Sequence, residues 1–320
     1  MKFFDAVIGN PPYQEMDGGN GASARPLYNH FIEKAESIGA GKVSMIVPAK
    51  WYAGGKGLDA FRRRMLSDRR IKEIVDYDDP FDCFRNVYIA GGVCYFLWDS
   101  QYSGKCRFTN ILKNRVLVED RFLDTKDVLI RYATGERIVD KVMAHPSFKS
   151  MRDAVSPINP FGLGTNIRPS EGELVLKSSA ATGPFPAELV NSGHEWVDAW
   201  KVVMSCLTNE FASRPDRDGM RKVLASLAVL PPKNVCTASY LVAGRFSERR
   251  DAEILLAHMK TRLVRFLVLT RTLNQHITRE CFRHVPMPVL EEPDDAAMYS
   301  LYGLDSKEIS FVNSMIREIE

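Results

Sequence analysis

The residues best suited to chemistry lie at the start of the sequence, in the stretch FDAVIGNPPYQ (residues 4–14). Asn10, Pro11, Pro12 and Tyr13 directly follow an apolar run. The prolines hold the backbone extended and lack N–H donors, so the turn presents carbonyl oxygens together with the Asn10 side-chain oxygen. These acceptors suit an amino group, and the Tyr13 ring suits stacking on a planar base. The alternative is a proline-rich turn that only ends a strand.

This set of acceptors fits the activation of an exocyclic amine such as that of adenine. The lone pair of that nitrogen is delocalised into the ring. Two hydrogen bonds accepted from its hydrogens favour a pyramidal nitrogen, whose lone pair can attack an electrophilic methyl group. Because the amine is unreachable inside a duplex, the nucleotide must be flipped out. The pattern therefore predicts methyl transfer to an amino group.

Alternating strands and helices are predicted to position this loop. The predicted strands cover residues 3–9, 43–47 and 71–76, the predicted helices cover residues 26–38 and 57–67, and a hairpin or pair of strands covers residues 87–98. This order is typical of an open, mainly parallel α/β sheet, in which ligands bind beyond the carboxyl ends of the strands. Asn10 to Tyr13 are expected at that position.

The composition predicts a cytoplasmic protein with two domains. With 320 residues, of which 45% are hydrophobic, the chain is long enough to bury two cores. No apolar run approaches the length that spans a bilayer, and the amino terminus lacks the regions of a signal peptide, so no membrane partner is expected. The six cysteines are scattered singly, which predicts reduced thiols and no metal site.

The second half of the chain has a different pattern and an uneven charge. After about residue 105 the predicted elements become short and mixed, so we place a boundary between residues 1–105 and residues 106–320. One long amphipathic helix is predicted at residues 251–270. Between Lys201 and Leu290 there are fifteen Lys and Arg against seven Asp and Glu, whereas residues 291–320 carry two basic and eight acidic residues. This asymmetry favours a nucleic-acid partner, and solvated helix faces are its simpler explanation.

Four segments carry a resemblance to a known family: VIGNPPYQ, GKVSMIVPAKWYAGGKGLDAFRRRML, IKEIVDYDDPFDCFRNVYIAGGVCYFLW and the tail MYSLYGLDSKEISFVNSMIREIE. They resemble the gamma-class DNA adenine-N6 methyltransferases of bacterial restriction-modification systems, which include TaqI-like enzymes and the methylase parts of fused restriction-modification proteins. The resemblance implies an α/β fold: a partial Rossmann-like methyltransferase sheet in residues 1–105, followed by a mixed α+β target-recognition domain in residues 106–320 that binds double-stranded DNA.

The resemblance also implies roles for individual residues. Asn10 and the Pro11 carbonyl would hold the adenine amino group within the catalytic loop Asn10-Pro11-Pro12-Tyr13, and Tyr13 would stack on the flipped base. Phe84 would be the second aromatic residue against that base, with Phe81 as a substitute and a core position as the alternative for Phe84. The residues expected to contact DNA are Arg214, Arg217, Arg221, Lys222, Lys260, Arg262, Arg271, Asn274, Gln275 and Arg279.

The sequence departs from this family at the cofactor site. The family binds S-adenosyl-L-methionine with a Gly-rich turn that precedes the NPPY loop, but only nine residues precede Asn10 here. The stretch NPFGLGTN (residues 159–166) has the right letters, yet it follows a proline and not an apolar strand. We therefore expect a separate chain or a missing amino-terminal region to supply the cofactor half, and no catalysis by this chain alone.

Two other interpretations stay open at this stage. The chain could be a non-catalytic DNA-binding specificity module from a truncated or split restriction-modification protein, which the missing cofactor half favours. The same loop chemistry would also suit an amino nitrogen in protein or RNA. The basic second domain makes DNA the better prediction.

Overall fold

The computed structural model describes residues 4–15, 24–55, 57–113, 115–207, 215–224, 226–272 and 276–319. The chain divides into two compact units: Met1–Ala133 with Ser213–Pro215, and Thr134–Ala212 with Asp216–Glu320. Among the helices of the described residues, none has both the length and the apolar character needed to cross a membrane.

The first unit is built on a six-stranded mixed sheet. Its strands are β1 (Phe4–Gly9), β2 (Ala40–Pro48), β3 (Ile71–Tyr77), β4 (Val93–Asp99), β5 (Cys106–Leu112) and β6 (Arg115–Arg121). They lie in the order β1-β2-β4-β3-β5-β6. β1 is parallel to β2 and β3 is parallel to β5, whereas β4 is antiparallel to both β2 and β3. The carboxyl ends of β1, β2, β3 and β5 therefore all lie on the same side of the sheet. The sheet is mixed, not mainly parallel as predicted.

The core of this unit lies on one face of the sheet. The register places Met45 beside Phe96, Phe96 beside Ile74 and Ile74 beside Phe108, and all four side chains are buried. Helix α1 (Tyr28–Ser37) connects β1 to β2, and helix α2 (Asp59–Ser67) precedes β3. Both helices bury apolar residues at helical spacing, as the amphipathic pattern of the sequence predicts.

Two features of this unit differ from the sequence predictions. Residues 87–98 do not form a hairpin, because only β4 is a strand there. Gly92 has a φ of +85°, and a Cβ atom at this position would lie 2.5 Å from the Tyr77 carbonyl oxygen, so the chain enters β4 through a glycine turn. The compact unit also extends past residue 105 to Ala133, because β5 and β6 join the sheet.

The second unit contains the remaining elements. They are α3 (Ala133–Ala144), β7 (Leu174–Lys177), β8 (Thr182–Phe185), β9 (Trp200–Ser205), β10 (Leu227–Leu230), β11 (Asn234–Cys236), β12 (Tyr240–Phe246), α4 (Arg249–Lys260), α5 (Arg262–Leu269), α6 (Asp295–Leu301) and α7 (Ser306–Met315). The strands form two three-stranded sheets, in the orders β10-β9-β12 and β11-β7-β8.

The single long helix predicted at residues 251–270 is two helices. Thr261 adopts an extended conformation between α4 and α5, and its side chain accepts a hydrogen bond from the Val264 backbone N–H. A threonine in this position caps the following helix, so α5 begins directly after α4 ends. The apolar spacing in the sequence therefore continues although the helix is interrupted at Thr261.

Candidate active site

The Asn10 loop lies at the carboxyl end of β1, at the edge where β2 and β3 also end. The Asn10 and Pro12 side chains are exposed, whereas Pro11 is buried. In the described part of the chain, β1 has a strand on one side only, and its Ile8 side chain is 81% exposed. The Asn10 loop thus follows an edge strand of the sheet whose outer side is uncovered in the described residues.

Backbone pairing fixes the chain immediately after this loop. The Leu27 N–H donates to the Tyr13 carbonyl oxygen at 3.1 Å, and the Glu15 N–H donates to the Arg25 carbonyl oxygen at 2.9 Å. The loop is therefore clamped against the residues that lead into α1. This leaves Asn10 and the prolines as the part that can face a ligand.

The Tyr13 side chain is half-buried, and its hydroxyl oxygen lies in the interior. Burial raises the pKa of Tyr13 to about 12, with smaller contributions from the Cys83 and Cys94 thiols. Cys83 directly precedes Phe84 in the sequence. The structure therefore brings Tyr13 close to the segment that carries the second predicted aromatic residue.

That segment is a short 3-10 helix, Pro80–Asp82, that follows β3. Asp79 caps it by accepting a hydrogen bond from the Phe81 N–H at 3.1 Å, and the Phe84 N–H donates to the Pro80 carbonyl oxygen at 2.8 Å. Phe84 is half-buried. The Phe81 ring instead packs against Tyr88, with ring centroids 6.4 Å apart.

Aromatic side chains surround the Cys94 thiol behind the Asn10 loop. Trp51 and Tyr52 are fully buried in the 3-10 helix Ala49–Tyr52 after β2, and their rings meet edge to face with centroids 4.8 Å apart. Both contact the Cys94 thiol, whose pKa burial raises to about 12. The thiol is therefore protonated at neutral pH and acts as a packing group.

A buried ionic network lies at the carboxyl end of β3. Arg131 Nε is 2.9 Å from Asp76 Oδ2, a second Arg131 nitrogen donates to Asp78 Oδ1, and a third donates to the Gly91 carbonyl oxygen at 2.5 Å. The Tyr132 hydroxyl donates to Asp78 Oδ2 at 2.6 Å. One guanidinium thus joins the end of β3 to the turn that begins β4.

Burial raises the pKa of Asp76 to about 6, and the neighbouring Asp78 carboxylate adds to this rise, whereas Arg131 opposes it. Two carboxylates share one guanidinium here, so the network carries excess negative charge inside the protein. Sequence reasoning missed it because Arg131 lies far from Asp76 along the chain. The only local signal was the acidic run DYDDP directly after an apolar strand.

Comparisons with known proteins place the first unit in context. Residues 1–84 match the family model of the Eco57I restriction-modification methylase. An uncharacterized adenine-specific methylase from Mycoplasma pneumoniae is 40% identical over 107 residues, which cover 32% of this chain and 25% of that protein. The resemblance to restriction-modification adenine methyltransferases is confirmed. The chain spans about a quarter of the length of this relative.

Two solved structures are also similar over part or all of the chain. The type IIG restriction endonuclease BpuSI aligns with a TM-score of 0.38 at 11% identity, over 96% of this chain and 49% of that chain. The methyltransferase subunit of a type I restriction-modification system from Streptococcus thermophilus aligns with a TM-score of 0.25 at 15% identity, over 36% of this chain and 29% of that chain. These TM-scores are too low to indicate a common overall fold.

Restriction-modification methylases use S-adenosyl-L-methionine, and the glycine-rich letters at 159–166 do not form the kind of loop that would hold it. The glycine-spaced stretch 159–166 forms turns in the second unit, where Phe161 and Leu163 are buried in an apolar core with Leu174 and Leu176. No strand leads into it and no helix follows it among the described residues around it. This stretch is a loop that is packed into the core of the second unit through Phe161 and Leu163. In the described ranges, no three His, Cys, Asp or Glu side chains are grouped so that they could hold a metal ion.

The residues predicted to contact DNA occupy different environments. Arg217, Lys222 and Arg279 are exposed, and Lys260 is half-buried. Arg214, Asn274 and Gln275 lie outside the described residues.

The other three predicted DNA contacts are engaged inside the second unit. Arg221 is buried. Arg262 pairs with Glu318 at 3.0 Å and with Asp295 at 3.8 Å. Arg271 donates to the Glu280 carbonyl oxygen at 3.0 Å, and one of its terminal nitrogens lies 3.2 Å from His284 Nε2.

Proposed function

We propose that this chain is part of a site-specific DNA adenine-N6 methyltransferase of a restriction-modification system, with the NPPY catalytic loop in the first unit and target recognition in the second. The observation that carries the proposal is the Asn10 loop. It is exposed at the carboxyl end of β1, and Tyr13 lies close to the Cys83–Phe84 segment. A loop of acceptors between two aromatic side chains suits a planar base with an exocyclic amine.

Each residue of the loop then has a defined part in the reaction. The Asn10 side-chain oxygen and the Pro11 carbonyl oxygen accept hydrogen bonds from the two amino hydrogens of a flipped adenine. Tyr13 and Phe84 pack against the base. Burial of the Tyr13 hydroxyl restrains that ring before the base arrives, which lowers the entropy lost on stacking. The contact between Phe81 and Tyr88 supports Phe84 over Phe81 as the second aromatic residue.

S-adenosyl-L-methionine would be held by strands that extend the sheet beyond β1. The exposed Phe4 and Ile8 on β1 and Phe31 on α1 support this, because an exposed apolar edge strand invites pairing. Strands added there would complete a Rossmann-like sheet in which the order reverses at β1, and such a reversal is where open α/β sheets bind ligands. A separate chain or an amino-terminal region would supply these strands.

The second unit would recognise double-stranded DNA. Exposed Arg217, Lys222 and Arg279 are available to phosphates, which provide most of the affinity and its dependence on salt.

A methyl-transfer assay with labelled S-adenosyl-L-methionine and duplex DNA tests the proposal. The chain is assayed alone and with a second polypeptide that carries a Gly-rich βαβ unit. Label is expected on adenine only in the mixture. Asn10→Ala should then reduce transfer by at least about 100-fold and leave duplex affinity unchanged, because it removes a transition-state contact.

The matched control is Gln101→Ala, an exposed amide beyond β4 at the opposite edge of the sheet. It should leave both transfer and affinity unchanged. An equal loss of transfer and DNA affinity in Asn10→Ala would identify the loop as a structural turn and contradict the proposal.

A second candidate function is a DNA-binding specificity module without catalysis. The observation that favours it is the burial of Phe161 and Leu163 in an apolar core, which makes the glycine-spaced stretch 159–166 unsuited to a cofactor loop. Salt-sensitive duplex binding without methyl transfer in any mixture would support this function over the first. Loss of both activities would contradict both candidates.

A further inference from the structure

β6 forms the edge of the six-stranded sheet opposite β1, and it is exposed on both faces. Every residue from Arg115 to Asp120 is exposed. Three of them are apolar: Val116 is 61% exposed, Val118 is 48% exposed and Leu117 is 37% exposed. Soluble proteins rarely leave a strand with this composition uncovered, because its free N–H and C=O groups and apolar side chains favour pairing with another strand.

The apolar surface of β6 continues across the sheet. The register places Val118 beside Thr109, Thr109 beside Val75 and Val75 beside Tyr95, so these side chains share one face. None of them is fully buried. Arg121 differs, because its guanidinium donates to the Ile130 carbonyl oxygen at 2.9 Å and anchors the end of β6 within its own molecule. The strand is thus firmly held at one end and open along its outer edge.

We propose that β6 pairs with β6 of a second copy of this chain, antiparallel, about a two-fold axis through Leu117. Pairing about this axis places Arg115 opposite Glu119 of the partner subunit, and Val116 opposite Val118 of the partner subunit. Leu117 lies opposite its own copy. By symmetry each unlike pair occurs twice, so the strand complements itself in both charge and apolar character.

Charge selects this register over its neighbours. A shift that centres the axis on Val118 would place Arg115 opposite Arg121 of the partner subunit and Leu117 opposite Glu119 of the partner subunit, which loses both favourable pairs. An axis between Leu117 and Val118 is also excluded. Only alternate residues of β6 direct their backbone N–H and C=O groups to the outer edge, and this axis would place such residues opposite residues that do not. Within residues 115–119, the pairing about Leu117 makes every opposed pair compatible.

The occupant is a second copy and not an unrelated strand, because the order Arg-Val-Leu-Val-Glu complements itself when reversed. Opposite charges face each other at the ends, and apolar residues face each other between them. The two sheets would join edge to edge into one continuous sheet. The rows that contain Val116 and Val118 would then continue into the partner subunit and cover the apolar side chains that are exposed in one copy.

Sedimentation velocity on the full chain tests this proposal, over a concentration series up to about 0.5 mM. We expect a reversible monomer–dimer equilibrium. Leu117→Lys places two ammonium groups opposite each other at the axis and should weaken the dimer by at least about 100-fold. The control is Ile158→Lys in the second unit, where the wild-type side chain is 61% exposed against 37% for Leu117, and it should leave the dimer unchanged. Circular dichroism verifies that both variants fold.

Charge reversal and cross-linking test the register. Arg115→Glu and Glu119→Arg should each weaken the dimer by about 10-fold, and the double variant should restore it. Leu117→Cys should form a disulfide-linked dimer under mild oxidation, since residues opposite each other across paired strands lie within disulfide range. Wild type, with its own cysteines, is the control for background cross-linking.

A chain that is monomeric throughout the series would overturn the proposal, as would a dimer that Leu117→Lys leaves intact. The outcome is independent of methyl transfer, because no assay in this set uses S-adenosyl-L-methionine or DNA.

Discussion

Replacing Arg131 with methionine tests how the inner side of the candidate site is held. Arg131 is the only cation that contacts both Asp76 and Asp78 among the described residues, and it also bonds the Gly91 carbonyl oxygen. Segment 78–92 begins at the end of β3, ends at the start of β4 and carries Phe81 and Phe84. Methionine keeps an unbranched apolar stem and removes the guanidinium with all three contacts, so both anchors of this segment should loosen.

The free energy lost in Arg131→Met follows from the burial of the two carboxylates that Arg131 contacts. Asp76 is fully buried and Asp78 is nearly so. Removing one partner of a buried ion pair costs roughly 3 to 5 kcal/mol, because a charge is left without compensation. This corresponds to an increase of roughly 150- to 4000-fold in the opening of β3 and β4. The double variant Arg131→Met/Asp76→Asn should recover part of the loss, because it also removes a buried charge.

The pH dependence of the stability loss in Arg131→Met provides an independent test. The pKa of Asp76 is raised from an ordinary value of 3.8 to about 6 in the folded protein. A raised carboxyl pKa means that the protonated group favours folding, so its contribution is complete below the ordinary value and is lost as the pH rises through about 6. Without Arg131 this pKa should rise further. The damage in Arg131→Met should therefore be large at neutral pH and smaller at about pH 5.

Hydrogen exchange measured by mass spectrometry is the suitable assay, because it resolves peptides of β3 and β4 from those of the second unit. Peptides of β9 serve as the internal reference, and Arg137→Met on α3 is the control variant with an exposed arginine. The reasoning is refuted if β3 and β4 keep their protection in Arg131→Met. A loss of the same size at both pH values would refute the assignment to buried carboxylates.

Two further predictions concern the second unit. The salt slope of duplex binding, measured by fluorescence anisotropy, should fall by about one in each of the variants Arg217→Ala, Lys222→Ala and Arg279→Ala. Arg262→Ala should leave this slope unchanged and lower the melting temperature, because Arg262 is paired with Glu318 and Asp295. Burial lowers the pKa of Lys201 to about 8, and a lowered lysine pKa means that stability is lost as the pH falls through that value. The melting temperature of the second unit should therefore rise between about pH 8 and about pH 10, and Lys201→Met should remove this rise; a variant with the wild-type pH dependence would contradict the assignment.

The elements around the Asn10 loop could be predicted because local signals mark them. Proline and glycine bound the apolar blocks, so the strand predicted at 3–9 agrees with Phe4–Gly9 over the described residues, and the strand predicted at 71–76 is one residue shorter than Ile71–Tyr77. The helix predicted at 57–67 ends at Ser67, as observed. In this part of the chain, hydrophobic period and breaker residues indicate the same structure.

The predictions failed where contacts distant in sequence decide the structure. The hairpin at 87–98 was wrong because the Gly92 backbone packs against the Tyr77 carbonyl oxygen, which no local pattern reveals. The domain boundary predicted at residue 105 lies before the end of the first compact unit, because β5 pairs with β3 although β4 lies between them in the sequence. The DNA contacts expected of Arg262 and Arg271 stay predictions, and the partners of these side chains within the protein could be identified only from the fold.

The candidate site is therefore anchored unequally on its two sides. On the inner side, Arg131 holds the β3–β4 connection, and Trp51 and Tyr52 fill the space around Cys94. On the outer side, β1 carries Asn10 and pairs only with β2 among the described residues, so no strand lies beyond it, and Ile8 is exposed. Strands added beyond β1 would restrain Asn10 directly but would not touch the Phe84 segment. A polypeptide that completes the sheet should therefore increase hydrogen-exchange protection in β1 much more than in β3 and β4. Equal protection of both regions would show that the inner side is also incomplete in this chain.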